Sequence, residues 1–405
     1  MSEGEGEGFK IKDVALNSQI HMRDIRLMRK IGIVTIVDYL NYGNRLQNYA
    51  TQETIRGLGY DVETIIYNRA LDRPKESSHQ ILIRKFVTFR KLLQKRDYEP
   101  IKKKLTNRLY KSMIQERDRS FRLFTQSYIH ETDFRITDQY IPNNLSERYD
   151  FFVTGSDQVW NPVFAGSPIY FLTFTPTYKR IAYAASFGVS NLPESCLENY
   201  RKWISEIPYL SVREQAGADI IKELTGRDAV VLVDPTLMLS KSKWLSISKS
   251  GAHKPSKPYL LTYFLGPIAD DVKHKIKDIA FRKKLEVVHL ASFGDKRRYT
   301  ADPAEFLDYI NSAEIVFTDS FHGTIFSMLF EKPFVVCDRI SSIAMHSRID
   351  TILSKFKLES RRWQNIKTQQ EDHFFEADFS HVPPILELER KKAIDFLKVA
   401  LSESR

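Results

Sequence analysis

The chain has 405 residues, 42% of them hydrophobic, which is enough to fill the cores of two ordinary domains and excludes a disordered chain. Its two cysteines, Cys196 and Cys337, lie far apart without metal-ligand neighbours, which excludes a disulfide framework and a cysteine-based metal site. The net charge of +10 sits in one segment: Lys75 to Arg122 carries fifteen Lys or Arg against five Asp or Glu, and the rest of the chain is close to neutral.

Residues 1–29 form an N-terminal extension that opens MSEGEGEGFK, acidic and glycine-rich where a secretory leader is basic and then apolar. No run approaches the eighteen or so apolar residues that a membrane span requires. A cytoplasmic protein is expected. The first strand is predicted at IGIVTI, residues 31–36, followed by the polar turn DYLNYGN and a helix from about Arg45 to Leu58, stopped by Gly59. In that turn Gly43 permits close backbone approach, and Asn44, Arg45 and Gln47 open a helix on which an anion or a sugar can rest; a polar helix cap fits the same residues. The GxGxxG spacing is missing, so no dinucleotide site is expected.

The basic segment comes next. Ile83, Phe86, Phe89 and Leu93 recur at helical spacing, with a break near Pro100, which predicts two basic amphipathic helices within an insertion spanning 75–135. Such helices can lie on anionic headgroups, hold an acidic acceptor or contact nucleic acid, or simply present Lys and Arg to water. Peripheral membrane contact through 75–122, at the inner face of the membrane, is the partner expectation; nucleic acid is not expected.

YDFFVTGSD, RIAYAASFG, YLSVRE and VVLVDP are further short apolar strands, each running into a polar turn. Asp157 and Asn161 can hydrogen-bond sugar hydroxyls there, and Trp160 is either a platform for a pyranose ring or a core residue. Ser186 and Gly188 end another strand and are expected to line the same cleft. Arg213 follows YLSV directly and is the leading anion-binding candidate, unless it forms a surface pair with Glu214 or Asp219. Asp234 reads as a turn residue before Pro235.

Residues 249–258, KSGAHKPSKP, break all periodicity and read as a linker. A second set follows: the strand YLLTYFLG, the helix ADDVKHKIKDIAFRKK, the strand LEVVHLASFG, a helix with Asp302 as N-cap and Pro303 at its first position, then EIVFTDS, a helix and PFVVCD. The expectation is an α/β protein of two doubly wound, Rossmann-like domains, 30–248 and 259–380, facing across a cleft, with a helix at 381–405 packing back on the first. Ligands of such sheets bind beyond the carboxyl ends of the strands. His322 stands at one of those ends, in the first turn of the helix after EIVFT, where unpaired N–H groups favour an anion and a neighbouring proton-transfer group. For a histidine taken alone, a helix cap or a filled gap in the core is the more ordinary explanation. No histidine pair has the i, i+4 spacing of a helical zinc site, so no metal is expected.

YDFFVTGSDQVWNP (149–162), IGIVTIVDYLNYGNRLQNYATQETIRGLGYDVE near the start and TDSFHGTIFSMLFEKPFVV (318–336) together resemble the polysaccharide pyruvyl transferase family. SVREQAGADIIKELTG, VVLVDPTLML and SRIDTILSKFKL stand in matching order, so the resemblance runs from about residue 30 to 360 apart from the basic insertion. It implies a GT-B-like pair of domains and transfer of the enolpyruvyl group of phosphoenolpyruvate to a sugar of a surface glycan or its lipid-linked precursor, as a pyruvate ketal, with no cofactor required. His322 matches the family's histidine, which implies proton transfer, and Arg213 lies in the matching SVR-type motif. Some members read Arg-Leu-His-Gly where this chain has Ser320, Phe321, His322 and Gly323. Ser320 cannot supply that charge, and Arg348 and Arg339 are the candidates to replace it around the donor. The other readings are a GT-B glycosyltransferase using a nucleotide sugar and a non-catalytic binder of anionic polymers.

Overall fold

The computed structural model describes residues 28–68, 111–162, 166–340 and 347–402. Residues 1–27 of the expected extension and 75–110 of the basic segment lie outside the described residues.

Short runs of β-branched and aromatic residues, buried on both faces, make the inner strands, as parallel sheets require. β1 (Lys30–Val34) leads through a polar turn to helix α1 (Tyr42–Arg56), and β2 (Asp61–Tyr67) follows. α1 starts three residues before the expected Arg45 because Asn41 caps it, its side chain accepting from the Asn44 N–H. α2 (Lys111–Tyr128) is the described end of the basic segment. β3 (Glu131–Ile136) falls partly within the expected helical insertion, yet it pairs in parallel with β2 at the sheet edge. Then come β4 (Phe151–Thr154), β5 (Arg180–Ala185), α3 (Glu194–Ser205), β6 (Tyr209–Val212), α4 (Gln215–Thr225) and β7 (Val230–Val231). These strands form one parallel sheet in the order β3-β2-β1-β4-β5-β6-β7.

α5 (Lys241–Ser246) precedes residues 249–258, which are tied to the second half: the Lys249 N–H bonds to the Ala304 carbonyl and the Gly251 N–H to Asp308. β8 (Tyr259–Tyr263), α6 (Asp270–Arg282), β9 (Glu286–Leu290), α7 (Pro303–Ser312), β10 (Ile315–Thr318), α8 (Phe321–Leu329), β11 (Phe334–Val336) and α9 (Ser347–Lys355) follow. Asp302 and Glu305 form a reciprocal capping box at α7, with Pro303 in its first turn. The four strands make a parallel sheet in the order β11-β10-β8-β9. The fold is thus α/β with two doubly wound, Rossmann-like sheets, the GT-B-like arrangement.

α10 (Val382–Ser402) bridges the two. Val382 and Leu386 join the core of the smaller sheet, whereas Ala393, Leu397, Ala400 and Leu401 pack with Ile31, Ile33 and Val153 of the larger. The halves also meet through α1: Tyr42 stacks on Phe306 at 4.5 Å between centroids. Arg117 of α2, buried, fastens the same seam, donating to the carbonyls of Leu40 and Tyr299 and to the Tyr42 hydroxyl. The described part of the basic segment therefore serves as an interdomain brace. Among the described residues no helix is long and apolar enough to cross a membrane.

Candidate active site

A cavity of about 320 Å³ opens beyond the carboxyl ends of both sheets, in the size range of small-molecule sites. Strand order reverses there twice, between β1 and β4 in one sheet and between β8 and β10 in the other, and such reversals are where doubly wound sheets open a crevice. The larger sheet contributes Ile36, Asp38, Asn41, Asn44, Asp157 and Gln158. The smaller contributes Leu265, Ser320, Phe321, His322 and Arg339, and Arg348 comes from α9.

Ser320 caps α8, its hydroxyl accepting from the Gly323 N–H at 3.2 Å, and this places His322 in the first turn at the cavity wall. The imidazole is 7% exposed. Its Nε2 stands 3.7 Å from Asp234 Oδ2 and has no hydrogen-bond partner among the described residues. Across the seam the ring is pressed on Gly43 of α1: a Cβ at that position would overlap Nδ1 and Cγ of His322. Only glycine lets helix and ring approach so closely. Gly43→Ala should therefore displace the imidazole, costing about 1–3 kcal/mol by overpacking and lowering turnover roughly tenfold or more through misplacement of a reacting group. Kinetics and a urea titration of this variant check it; turnover at the parent level would show that the ring has room to move.

Arg213 is not on the surface and does not pair with Glu214 or Asp219. It is fully buried at the end of β6, with Nη1 in a short bond to Asp234 Oδ2, Nη2 3.5 Å from Asp157 Oδ1, and the guanidinium 4.7 Å from the Phe321 ring centroid. Burial alone would raise the pKa of Asp234, but Arg213 and His322 outweigh it and hold that carboxyl well below its ordinary range. Burial likewise works against the Arg213 cation, and the carboxylates of Asp234, Asp157 and Glu214 more than compensate. Arg213 thus supports the wall from behind and does not line the cavity. Asp234 is the turn residue the sequence suggests through Oδ1, which accepts from the N–H and hydroxyl of Thr236, while its Oδ2 joins Arg213 to His322. Asp157 adopts a left-handed backbone, φ +67°, a conformation that non-glycine residues keep mainly where the surroundings enforce it.

Arg348 is the cation left over. It is 6% exposed and lines the cavity, its Nε has no partner, and no described residue forms an ion pair with it. Its guanidinium is 5.5 Å from the Phe321 centroid. Burial, then the like charge of Arg213, lowers its pKa to about 10. The carboxylates of Glu214 and Asp157 offset this only in part; a buried cation without a direct ion pair among the described residues is costly, and an incoming anion would relieve that cost. Arg339 reaches the same opening while bonded through Nε to Asp319 at 3.2 Å.

On the opposite wall Asn44 is the organiser: its amide donates to the Ile36 carbonyl and to Asp157 Oδ2, and its oxygen accepts from the Asp38 N–H. Six further sequence candidates lie off the cavity. Arg45 is buried against Glu131 at 2.7 Å, and Gln47 donates to Thr35. Ser186 donates to Glu214. Trp160 is fully buried, stacked on Phe171 at 5.4 Å with its N–H on the Tyr170 carbonyl, so it is packing and not a sugar platform. Asn161 is 1% exposed beside Gln158, behind the cavity, and Gly323 packs on Thr318 and Tyr263 within α8. Trp160→Ala should cost about 3–5 kcal/mol of stability with no selective rise in KM for a sugar. Chemical denaturation and acceptor kinetics test this, and a KM effect without destabilisation would contradict it.

The family described as polysaccharide pyruvyl transferase matches residues 41–342. No curated protein sequence matches the chain. Among solved structures, the chain is similar to a Staphylococcus aureus MnaA–UDP complex at 13% identity, covering 93% of this chain and 97% of that one, with a TM-score of 0.49. A UDP-GlcNAc 2-epimerase from Neisseria meningitidis bound to UDP-GlcNAc is similar at 9% identity, with coverages of 93% and 100% and a TM-score of 0.49. Escherichia coli ADP-heptose lps heptosyltransferase II follows at 10% identity, 89% and 99%, with a TM-score of 0.37.

Proposed function

The chain belongs to the polysaccharide pyruvyl transferase family, and from that premise we propose that it moves the enolpyruvyl group of phosphoenolpyruvate onto two hydroxyls of a glycan or lipid-linked sugar, forming a pyruvate ketal. One observation carries the reading: the buried Arg348 guanidinium, with no ion-pair partner among the described residues, and the His322 imidazole share one cavity. The donor carries a carboxylate and a phosphate, and Arg348 with Arg339 offers the fork-shaped cations that bind such groups. This pair stands where Ser320 leaves no charge of its own.

The double bond of the donor becomes electrophilic only when protonated. His322 gives a proton to the methylene carbon, and the π pair forms the new C–H bond, leaving the central carbon electron-poor. A sugar hydroxyl bonds to that carbon and loses its proton. The bond to the phosphate oxygen breaks with its electron pair leaving on phosphate, and the second hydroxyl closes the ketal as its own proton departs. Of the two protons the sugar gives up, one balances the new methyl group and the other leaves with phosphate. Nearby cations stabilise the anionic groups throughout.

Incubation of the protein with phosphoenolpyruvate and a panel of lipid-linked and p-nitrophenyl sugars tests the reading. Phosphate release matched one for one by acceptor carrying a pyruvate ketal is the expected result. Stabilisation by nucleotides but not by phosphoenolpyruvate, with no phosphate released, would select a nucleotide-sugar glycosyltransferase instead.

A further inference from the structure

The two walls of the cavity differ in charge. The ionisable groups from the smaller sheet and α9 are His322, Arg339 and Arg348; those from the larger sheet are the carboxylates Asp38 and Asp157. Asp157 is committed to Asn44 and Arg213. Asp38 is not: its Oδ1 accepts from the Leu40 N–H at 2.9 Å, which fixes its position, and no described cation forms an ion pair with it. On the opposite wall, Nε of Arg348 and Nε2 of His322 have no hydrogen-bond partner among the described residues, and both side chains are more than nine-tenths buried. A carboxylate on one side and a buried guanidinium with an imidazole on the other describe a cavity built for two ligands of different charge.

We propose that the Asp38 wall is the acceptor subsite, and that Asp38 is the catalytic base for the first hydroxyl of a neutral diol sugar; this rests on the transfer reading above. An anionic donor is repelled by Asp38 and Asp157 and drawn to the Arg348 wall, so the acceptor takes the acidic side. A carboxylated sugar is disfavoured there for the same reason. As the first hydroxyl oxygen bonds to the central carbon of the donor, its proton passes to Asp38, the O–H pair staying on oxygen. His322, having given its proton to the methylene carbon, takes the proton of the second hydroxyl. Asp38 returns its proton to the departing phosphate, and both side chains end as they began.

Asp38→Asn keeps an oxygen to accept from the Leu40 N–H, so the turn survives and only the base is lost. In full-length protein, with saturating phosphoenolpyruvate and a neutral p-nitrophenyl sugar that the parent pyruvylates, kcat should fall about a hundredfold or more. Asp38→Glu should recover part of it, and the thermal shift produced by phosphoenolpyruvate should match the parent in both variants. The proposal is overturned if Asp38→Asn keeps kcat within about threefold of the parent, or if it loses the donor-induced shift, which would place Asp38 with the donor or the fold. Failure of the underlying reading shows separately, as absence of transfer by the parent protein, and removes this proposal with it.

Discussion

His322→Ala lowers turnover about a hundredfold or more and leaves the fold in place. The ring and Arg348 line one cavity, so in the proposed reaction its loss removes the acid that activates the donor. Its removal does not strand a buried charge, because Asp234 still bonds to Arg213 and to Thr236. The variant should therefore melt close to the parent and still be stabilised by phosphoenolpyruvate through Arg348. A folded variant with more than about a third of parental turnover would show that another group moves the proton.

Arg213→Met destabilises the protein by about 3–5 kcal/mol, because Asp234 is then left buried without its cation. Both side chains of the pair are fully buried, so solvent screening gives little relief. Replacing both, Arg213→Met with Asp234→Leu, should recover most of the loss, since an apolar pair of similar bulk needs no counter-ion. Urea midpoints of the single and double variants test this. The pH dependence has a defined sign: Asp234 is depressed in the folded state, so its contribution is fully present above the unfolded carboxylate value of about 3.9 and is lost as pH falls through the lower folded value. The stability gap between the parent and Asp234→Asn should be flat near neutrality and shrink only in acid. A gap that narrows on the alkaline side would contradict the assignment.

Much of this architecture is legible in the sequence, because parallel strands buried on both faces leave unbroken apolar runs and the capping box at Asp302 is a local signal. His322 could be picked out for the same reason: it follows a strand directly. Partners far along the chain were not legible. Arg45 looks like a free cation at a helix start until Glu131, 86 residues away, is seen beside it. Asp234 reads as a turn residue because Oδ1 is one, and only the folded chain brings Arg213 and His322 to Oδ2; its place at a strand end was the available signal. Trp160 offers the same flat apolar face whether it holds a sugar or fills a core, so sequence cannot choose. β3 was missed because an edge strand need not be apolar on both faces, and Glu131–Ile136 alternates charge with bulk directly after a basic helix. Asp38 opens the turn DYLNYGN but has no feature that sets it apart from its polar neighbours, and its interest comes from the basic side chains across the cavity.

The most direct test is a structure of the protein with phosphoenolpyruvate bound. The account predicts the donor in the cavity between the two sheets, its anionic groups within hydrogen-bond reach of Arg348 and Arg339 and its methylene carbon against the His322 ring, with open space left toward Asp38. A donor seated elsewhere, or an empty cavity at a donor concentration that saturates turnover, would contradict it.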